Sequence, residues 1–273
     1  MPVFQTTTFR LLTLALLGWL LAGCAPMAVT GAPEVDKAAF GTKKRYAVVS
    51  VASLKTFQGE RSMADTFKSA DEVTGANTQP LINQLNPRII NALGKSRQFT
   101  LVPESRVLTH RAYRGLAEDP RTMKVLFITA DMNVANNYRY YSAPEKFARL
   151  AQELGVDGVI GITMNFGIST GGSRFSINGL SLGKKNYSAT ATISAVAYNQ
   201  KGEVVWKDST IKQADPDDSK AVIVIDTSAF TGADFEKMHP SAVEIGGKAV
   251  DVLLARFDDA LAGKDVERVQ SLK

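Results

Sequence analysis

Ten consecutive residues, Arg45 to Leu54, read RYAVVSVASL. Both alternating sets of positions in this run are mostly apolar or small, so a strand built from it has no water-facing side. Such a strand calls for a sheet with covering layers above and below it. The rest of the chain must then supply helices with one apolar stripe. Leu81, Ile82, Leu85, Ile89 and Leu93 form one such stripe, in a helix starting after Asn77 or Thr78. Pro80 falls near its first turn, and Pro87 is expected to kink or interrupt it. In SAPEKFARLAQELG, Ser142 and Glu145 have capping-box spacing, and Phe147, Leu150, Ala151 and Leu154 share a face up to Gly155. After Pro240, a last helix turns Val243, Val250, Leu253, Leu254, Phe257 and Leu261 inward and stops at Gly263. Glu104 to Leu116 reads as one further helix.

Strand signals fill the gaps. QFTLV (98–102) and MKVLFITA (123–130) each read as one strand, and Lys55 to Asn77 as a polar loop. VDGVIGITMNF puts Val156, Ile160, Ile162, Met164 and Phe166 on one side. Tyr187, Ala189, Ala191, Ile193, Ala195 and Ala197 then alternate with small polar residues. A turn at Asn199 to Gly202 returns the chain, with Val204 and Trp206 expected on one face. Ala221 to Ile225 is another strand. The pattern predicts the α/β (α+β) class: a single mixed sheet flanked by helices, with a long antiparallel hairpin, in one domain over 43–263.

Before that domain the composition changes. Residues 1–10 carry Arg10 as their only charge, Leu11 to Leu21 is apolar apart from Thr13 and Gly18, and Ala22 and Gly23 precede Cys24. A basic start, a short apolar core and a small-residue exit make residues 1–23 a secretory signal peptide. A spanning helix needs about 20 apolar residues, and this run is shorter. Residues 24–42 are small, polar and aperiodic, and read as a flexible tether; 264–273 reads as a C-terminal tail.

Leu21-Ala22-Gly23-Cys24 resembles the lipobox of bacterial lipoproteins. The resemblance implies cleavage before Cys24, lipid on its sulfur and acylation of the new amino terminus. Two or more acyl chains, at about 0.8 kcal/mol per buried methylene, anchor a protein stably. Ala25 stands where lipoproteins kept in the inner membrane usually carry Asp, so the implied address is the periplasmic face of the outer membrane. Cys24 is the one cysteine of the chain, so no internal disulfide can form.

Loss of Arg10 with the signal peptide lowers the net charge from +5 to +4. The basic residues form no stripe, which argues against nucleic-acid binding. The element order, with QFTLVPESRV, FARLAQELGVDGVIGITM and TISAVAYNQKGEVVWKDS as its local signatures, resembles the α/β domain of periplasmic lipoproteins related to the curli secretion component CsgG and the penicillin-binding-protein activator LpoB. That resemblance covers roughly 45–261. It implies binding and assembly work at the outer membrane, with a periplasmic or outer-membrane protein as partner.

Candidate chemistry is sparse. GISTG (167–171) matches G-x-S-x-G with Ser169 as nucleophile and His239 downstream; Asp208, Asp215, Asp217, Asp218 and Asp226 all compete for the third place. The motif needs Ser169 on a strained strand-to-helix turn, and the glycine- and serine-rich stretch after it has no helical period. Gly179 and Gly183 enclose three residues where a phosphate loop needs four. With two histidines, His110 in a helix and His239 at the start of the last one, no metal or cofactor site is expected. DPDDS (215–219) lacks the glycine and glutamate of a calcium loop. The remaining candidate is NNYRYYS, where Tyr138, Arg139, Tyr140 and Tyr141 have the residue types of a partner-binding patch; the bland alternative is that the rings pack over the sheet edge. A non-enzymatic binding or assembly factor is the leading expectation. A ring-forming subunit of a curli-type secretion channel comes second and a serine hydrolase third.

Overall fold

The computed structural model describes residues 27–29, 31–55, 77–125, 128–171, 175–177, 180–182, 185–215, 222–225 and 232–271. The doubly apolar run forms β3 (Arg45–Leu54), buried along almost its whole length. It pairs in parallel with β7 (Gly158–Gly171), and β7 pairs antiparallel with β10 (Lys185–Asn199), which turns back into β11 (Val204–Gln213). On the far side of β3 comes β6 (Ile128–Val134), then β5 (Thr122–Val125). The sheet is therefore mixed, as its sequence predicts. Short strands β2 (Glu34–Val35), β4 (Thr100–Leu101) and β12 (Val222–Ile225) complete nine strands; two separate pairs are β1 (Met27–Val29) with β13 (Val269–Ser271), and β8 (Phe175–Ile177) with β9 (Leu180–Leu182).

Helices cover both faces of β3. On one face lie α1 (Gln79–Gly94) and, after β12, the long C-terminal helix α5 (Gly232–Leu261). Their apolar stripes close over Ile160, Ile162, Met164 and Phe166 of β7 and the odd positions Tyr187 to Ala197 of β10. On the other face α2 (Glu104–Thr109), α3 (Arg111–Gly115) and α4 (Pro144–Glu153) cover Ala47, Val49 and Val159. Two glycines allow these layers to approach. A Cβ on Gly161 would lie 2.9 Å from the Phe147 ring, and one on Gly158 would lie 2.5 Å from Tyr46 and 2.8 Å from the Tyr198 carbonyl.

Several expectations need correction. Pro87 does not break α1, which runs on to Gly94. A proline inside a helix costs about 3 kcal/mol, but five fully buried Leu and Ile side chains contribute about 1.5–3 kcal/mol each. The 104–116 helix is two short helices, because His110 is extended and its Nδ1 accepts from the Ala112 amide at 3.2 Å. The stretch 123–130 is shared between two strands, β5 and β6, which pair antiparallel, and β6 runs on to pair with β3. Helix α5 begins before Pro240, at Gly232. A bulge at Ala197/Tyr198 separates Val204 from Trp206: Val204 is 42% exposed, whereas Trp206 is buried against Phe257, with ring centroids 4.4 Å apart.

The tether also departs from expectation in its described part. Glu34 and Val35 pair with Lys207 and Trp206 of β11, and the Asp36 amide donates to the Val205 carbonyl. Phe40 stacks on Tyr46, with centroids 4.9 Å apart, and meets Phe257 edge-on. Residues 31–36 form a strap along the β11 edge and 37–42 carry the chain across to Tyr46 and Thr100, because Val35 and Phe40 gain more by packing than the backbone gains by freedom. The 264–273 tail is drawn in as well, through β13.

Candidate functional site

The segment between β6 and α4 carries the tyrosines that the sequence singles out. Asn137 sits in the left-handed region (φ 70°), the one non-glycine residue to do so among those described, and turns the chain after β6. Tyr138, Tyr140 and Tyr141 then point inward and are 4%, 9% and 3% exposed. Their rings fill the core and are not displayed to a partner. Tyr113 forms the hinge of this packing. Its hydroxyl donates to the Val49 carbonyl (3.1 Å) and accepts from the Arg139 amide (2.8 Å), and its ring meets Tyr141 edge-on at 5.8 Å. Burial raises the Tyr113 and Tyr138 hydroxyls well above the ordinary tyrosine range and pushes Tyr141 up to about 12.

Arg139 faces the other way. With Arg114 it lines a cleft of about 570 Å³ together with Ser105, Leu108, Thr109, Tyr113 and Asn137. Arg139 Nη1 donates to the Leu116 carbonyl at 3.1 Å, and Arg114 Nε to the Leu108 carbonyl at 3.2 Å. A carbonyl fixes a guanidinium in place without neutralising it. Among the described residues no carboxylate lines the cleft. The neighbouring Glu118 is engaged by Arg121 at 2.9 Å. Two held cations, the Ser105, Thr109 and Tyr113 hydroxyls and the Asn137 amide side chain make a site suited to a carboxylate or another oxyanion.

Helix α4 beside this cleft lacks the side-chain cap that its sequence signature offers. Ala143 is the N-cap and Ser142 offers no side-chain cap bond to α4. Asp119 reaches in from the preceding loop, and its Oδ2 accepts from the amides of Ser142 (2.7 Å) and Ala143 (3.0 Å). Lys146 pairs with its Oδ1. Burial alone would raise this carboxyl, but Lys146 and the two amides outweigh it and hold it below the usual carboxylate range.

A second cleft, of about 510 Å³, lies between the strap and the outer face of β10 and β11. Thr163, Ser194, Ser209 and Tyr198 line it, with the Ser194 and Ser209 hydroxyls 3.0 Å apart. Below it Asp208 is closed off by a bidentate bond from Arg256 of α5. Arg256 also donates to the carbonyls of Gly31 (2.9 Å) and Glu267 (2.6 Å), so a single side chain binds the strap and the tail to the sheet.

The other candidates do not come together. Ser169 lies inside the β7 ladder, opposite Ser188, and not on a strand-to-helix turn. His239 is eight residues into the Gly232–Leu261 span of α5, and Asp208 is engaged by Arg256. The nucleophile geometry of G-x-S-x-G is therefore missing, because β7 continues its pairing through Gly171. Residues Cys24, Asp217, Asp218, Asp226, Gly179 and Gly183 fall outside the described residues, as do 56–76 of the expected loop. Tyr187 to Tyr198, which a membrane pore would need facing lipid, turns its apolar side into the core under α5. Among the described residues no group of three or more His, Cys, Asp or Glu is placed to hold a metal, and no helix is long and apolar enough to cross a membrane.

Sequence patterns do not single out Arg114, Asp119 or Arg256, and they offer Asp208 only as one of five candidates for a catalytic third partner. Arg256 alone carries a signal, a cation between Leu253 and Phe257 on an apolar helix stripe. Arg114 and Asp119 act through loops and tertiary packing that no local pattern encodes.

Fold and cleft together define a mixed α/β domain, strapped by its own ends, with a cationic cleft at the sheet's far side. No family model matches the chain, and the search of curated proteins finds no relative. Among solved structures, the LpoB C-terminal domain from Salmonella enterica is 14% identical over 63% of this chain and 83% of its own, with a TM-score of 0.30. A putative neuraminyllactose-binding hemagglutinin homolog from Helicobacter pylori is 9% identical over 81% and 89%, with a TM-score of 0.34. Neither likeness is close enough to transfer a function.

Proposed function

We propose that this chain is a lipoprotein of the outer membrane, anchored through acylated Cys24 on the periplasmic face, whose α/β domain works by binding a protein partner without turning over a substrate. The observation that carries the binding reading is the Arg114–Arg139 cleft: two positive charges, each held by a carbonyl and, among the described residues, paired with no carboxylate. Charge left uncompensated in a shaped cleft fits an acidic segment of a partner better than a role in stability. The anchor reading is supported by Cys24 itself, the single cysteine of the chain, placed directly after an apolar run and two small residues.

Two measurements test it. Mass spectrometry of the native membrane-extracted protein should show an acylated amino-terminal cysteine at position 24. Crosslinking in intact envelopes should capture a protein that is lost with the Arg114→Glu/Arg139→Glu double variant. Unchanged capture by that variant removes the cleft from the proposal, and an unmodified Cys24 removes the anchor.

A further inference from the structure

The strap decides how far the domain can stand from its anchor. The Gly31 carbonyl is held by Arg256, and Met27 pairs with Ser271 in β13. From Gly31 back to Cys24 the chain spans seven residues, and an extended chain covers at most about 3.6 Å per residue, so the reach is about 25 Å. Measured from Met27 it is about 11 Å. We infer that the domain sits edge-on against the bilayer, with the β11 edge, strap and tail facing the lipid headgroups and the Arg114–Arg139 cleft facing away. This rests on the anchor reading above.

Topology sets the direction. The strap lies beyond β11, and the strands continue in the order β11, β10, β7, β3, β6, β5. At about 4.8 Å per strand, β5 stands about 24 Å from β11. The cleft belongs to α2, α3 and the loop after β6, on the β3–β6 side. A short leash at one edge thus puts the binding cleft at the other, turned toward the periplasm. Charge contributes little to this orientation. Glu34 faces Lys207 at 3.8 Å and Lys264 pairs with Asp259 at 2.6 Å, so the edge carries both signs. Tether length holds the edge down, and orientation should survive high salt, which would weaken adsorption by surface charge.

The test uses the full-length lipidated protein in phosphatidylethanolamine–phosphatidylglycerol vesicles carrying an acceptor dye on the headgroups. A donor is placed at Lys264→Cys, beside the tail, or at Arg121→Cys, just before β5. Energy transfer should be at least about twofold more efficient from position 264, in low and in high salt. A Gly/Ser insert of about 20 residues after Pro26, spanning about 25 Å on average, should bring the two efficiencies together without touching the fold. Equal efficiencies in the protein without the insert overturn the edge-on placement alone. Failure to float with vesicles overturns the anchor reading and this inference with it.

Discussion

Arg256 grips Asp208 through two parallel hydrogen bonds, Nε to Oδ2 at 2.8 Å and Nη2 to Oδ1 at 3.0 Å, with the two side chains 7% and 1% exposed. Removing one partner leaves the other charged and buried, which costs about 3–5 kcal/mol. Arg256→Ala should therefore lower the unfolding free energy measured in urea by that margin and leave residues 31–36 open to limited proteolysis. A cost below about 1 kcal/mol would mean that the pair adds nothing to the strap.

Asp119 gives a pH dependence of known sign. Its folded-state titration lies below the ordinary value of 3.8, so its contribution is present above that value and disappears as pH falls through the folded titration. Asp119→Asn removes the charge that Lys146 pairs with and should cost about 1 kcal/mol at pH 7. The gap from the parent should close in urea titrations run below about pH 4.

At the alkaline end the tyrosines act in the opposite sense. Burial raises Tyr46, Tyr113, Tyr138, Tyr141 and Tyr198. The folded state prefers their neutral form, so stability is full below the ordinary value of 10.0 and falls as pH rises past it. Phenolate absorbance should rise in one cooperative step together with loss of the far-ultraviolet circular dichroism signal. Five gradual ionisations in a still-folded chain would contradict the packing described.

Ring and cation in the NNYRYYS segment should separate cleanly. Tyr140→Ala empties a core position and should cost about 3–5 kcal/mol. Arg139→Ala should change stability by no more than about 1 kcal/mol while weakening partner capture. Equal stability loss in both variants would place Arg139 in the core's service instead of the cleft's.

Glycines offer a steric contrast. A Cβ on Gly158 meets the Tyr198 carbonyl at 2.8 Å as well as Tyr46, and the backbone cannot step aside; Gly158→Ala should cost about 1–3 kcal/mol. At Gly247 the added methyl meets the far end of Arg88, which can swing into solvent. Gly247→Ala in mid-helix should be neutral or stabilising by up to about 1 kcal/mol in thermal unfolding.

Legibility in the sequence follows the range of the forces involved. The β3 run, the α1 stripe and the Tyr187–Ala197 alternation are local patterns, and the fold honours each of them. Misreadings occur where a distant group takes over a local role. Asp119 fixes the Ser142 and Ala143 amides where the sequence offers a Ser142 cap, and a bulge moves Val204 off the Trp206 face. The same holds at the site. NNYRYYS was recognisable as unusual, but which of its side chains turn inward is set by Tyr113 and Val49, and Arg114 joins Arg139 only through the tertiary fold.

Val35 finds its ladder partner in Trp206, and Gly31 is fastened from Arg256. An early segment is thus immobilised by much later ones, and the loop to be closed is nearly the length of the domain. Closure of so long a loop gives its entropic return late in folding. A chain halted before α5 can still pair Val35 with Trp206 but lacks Arg256 and Phe257, so its Gly31 end stays unfastened, and the order of assembly runs from the central ladder outward to the leash.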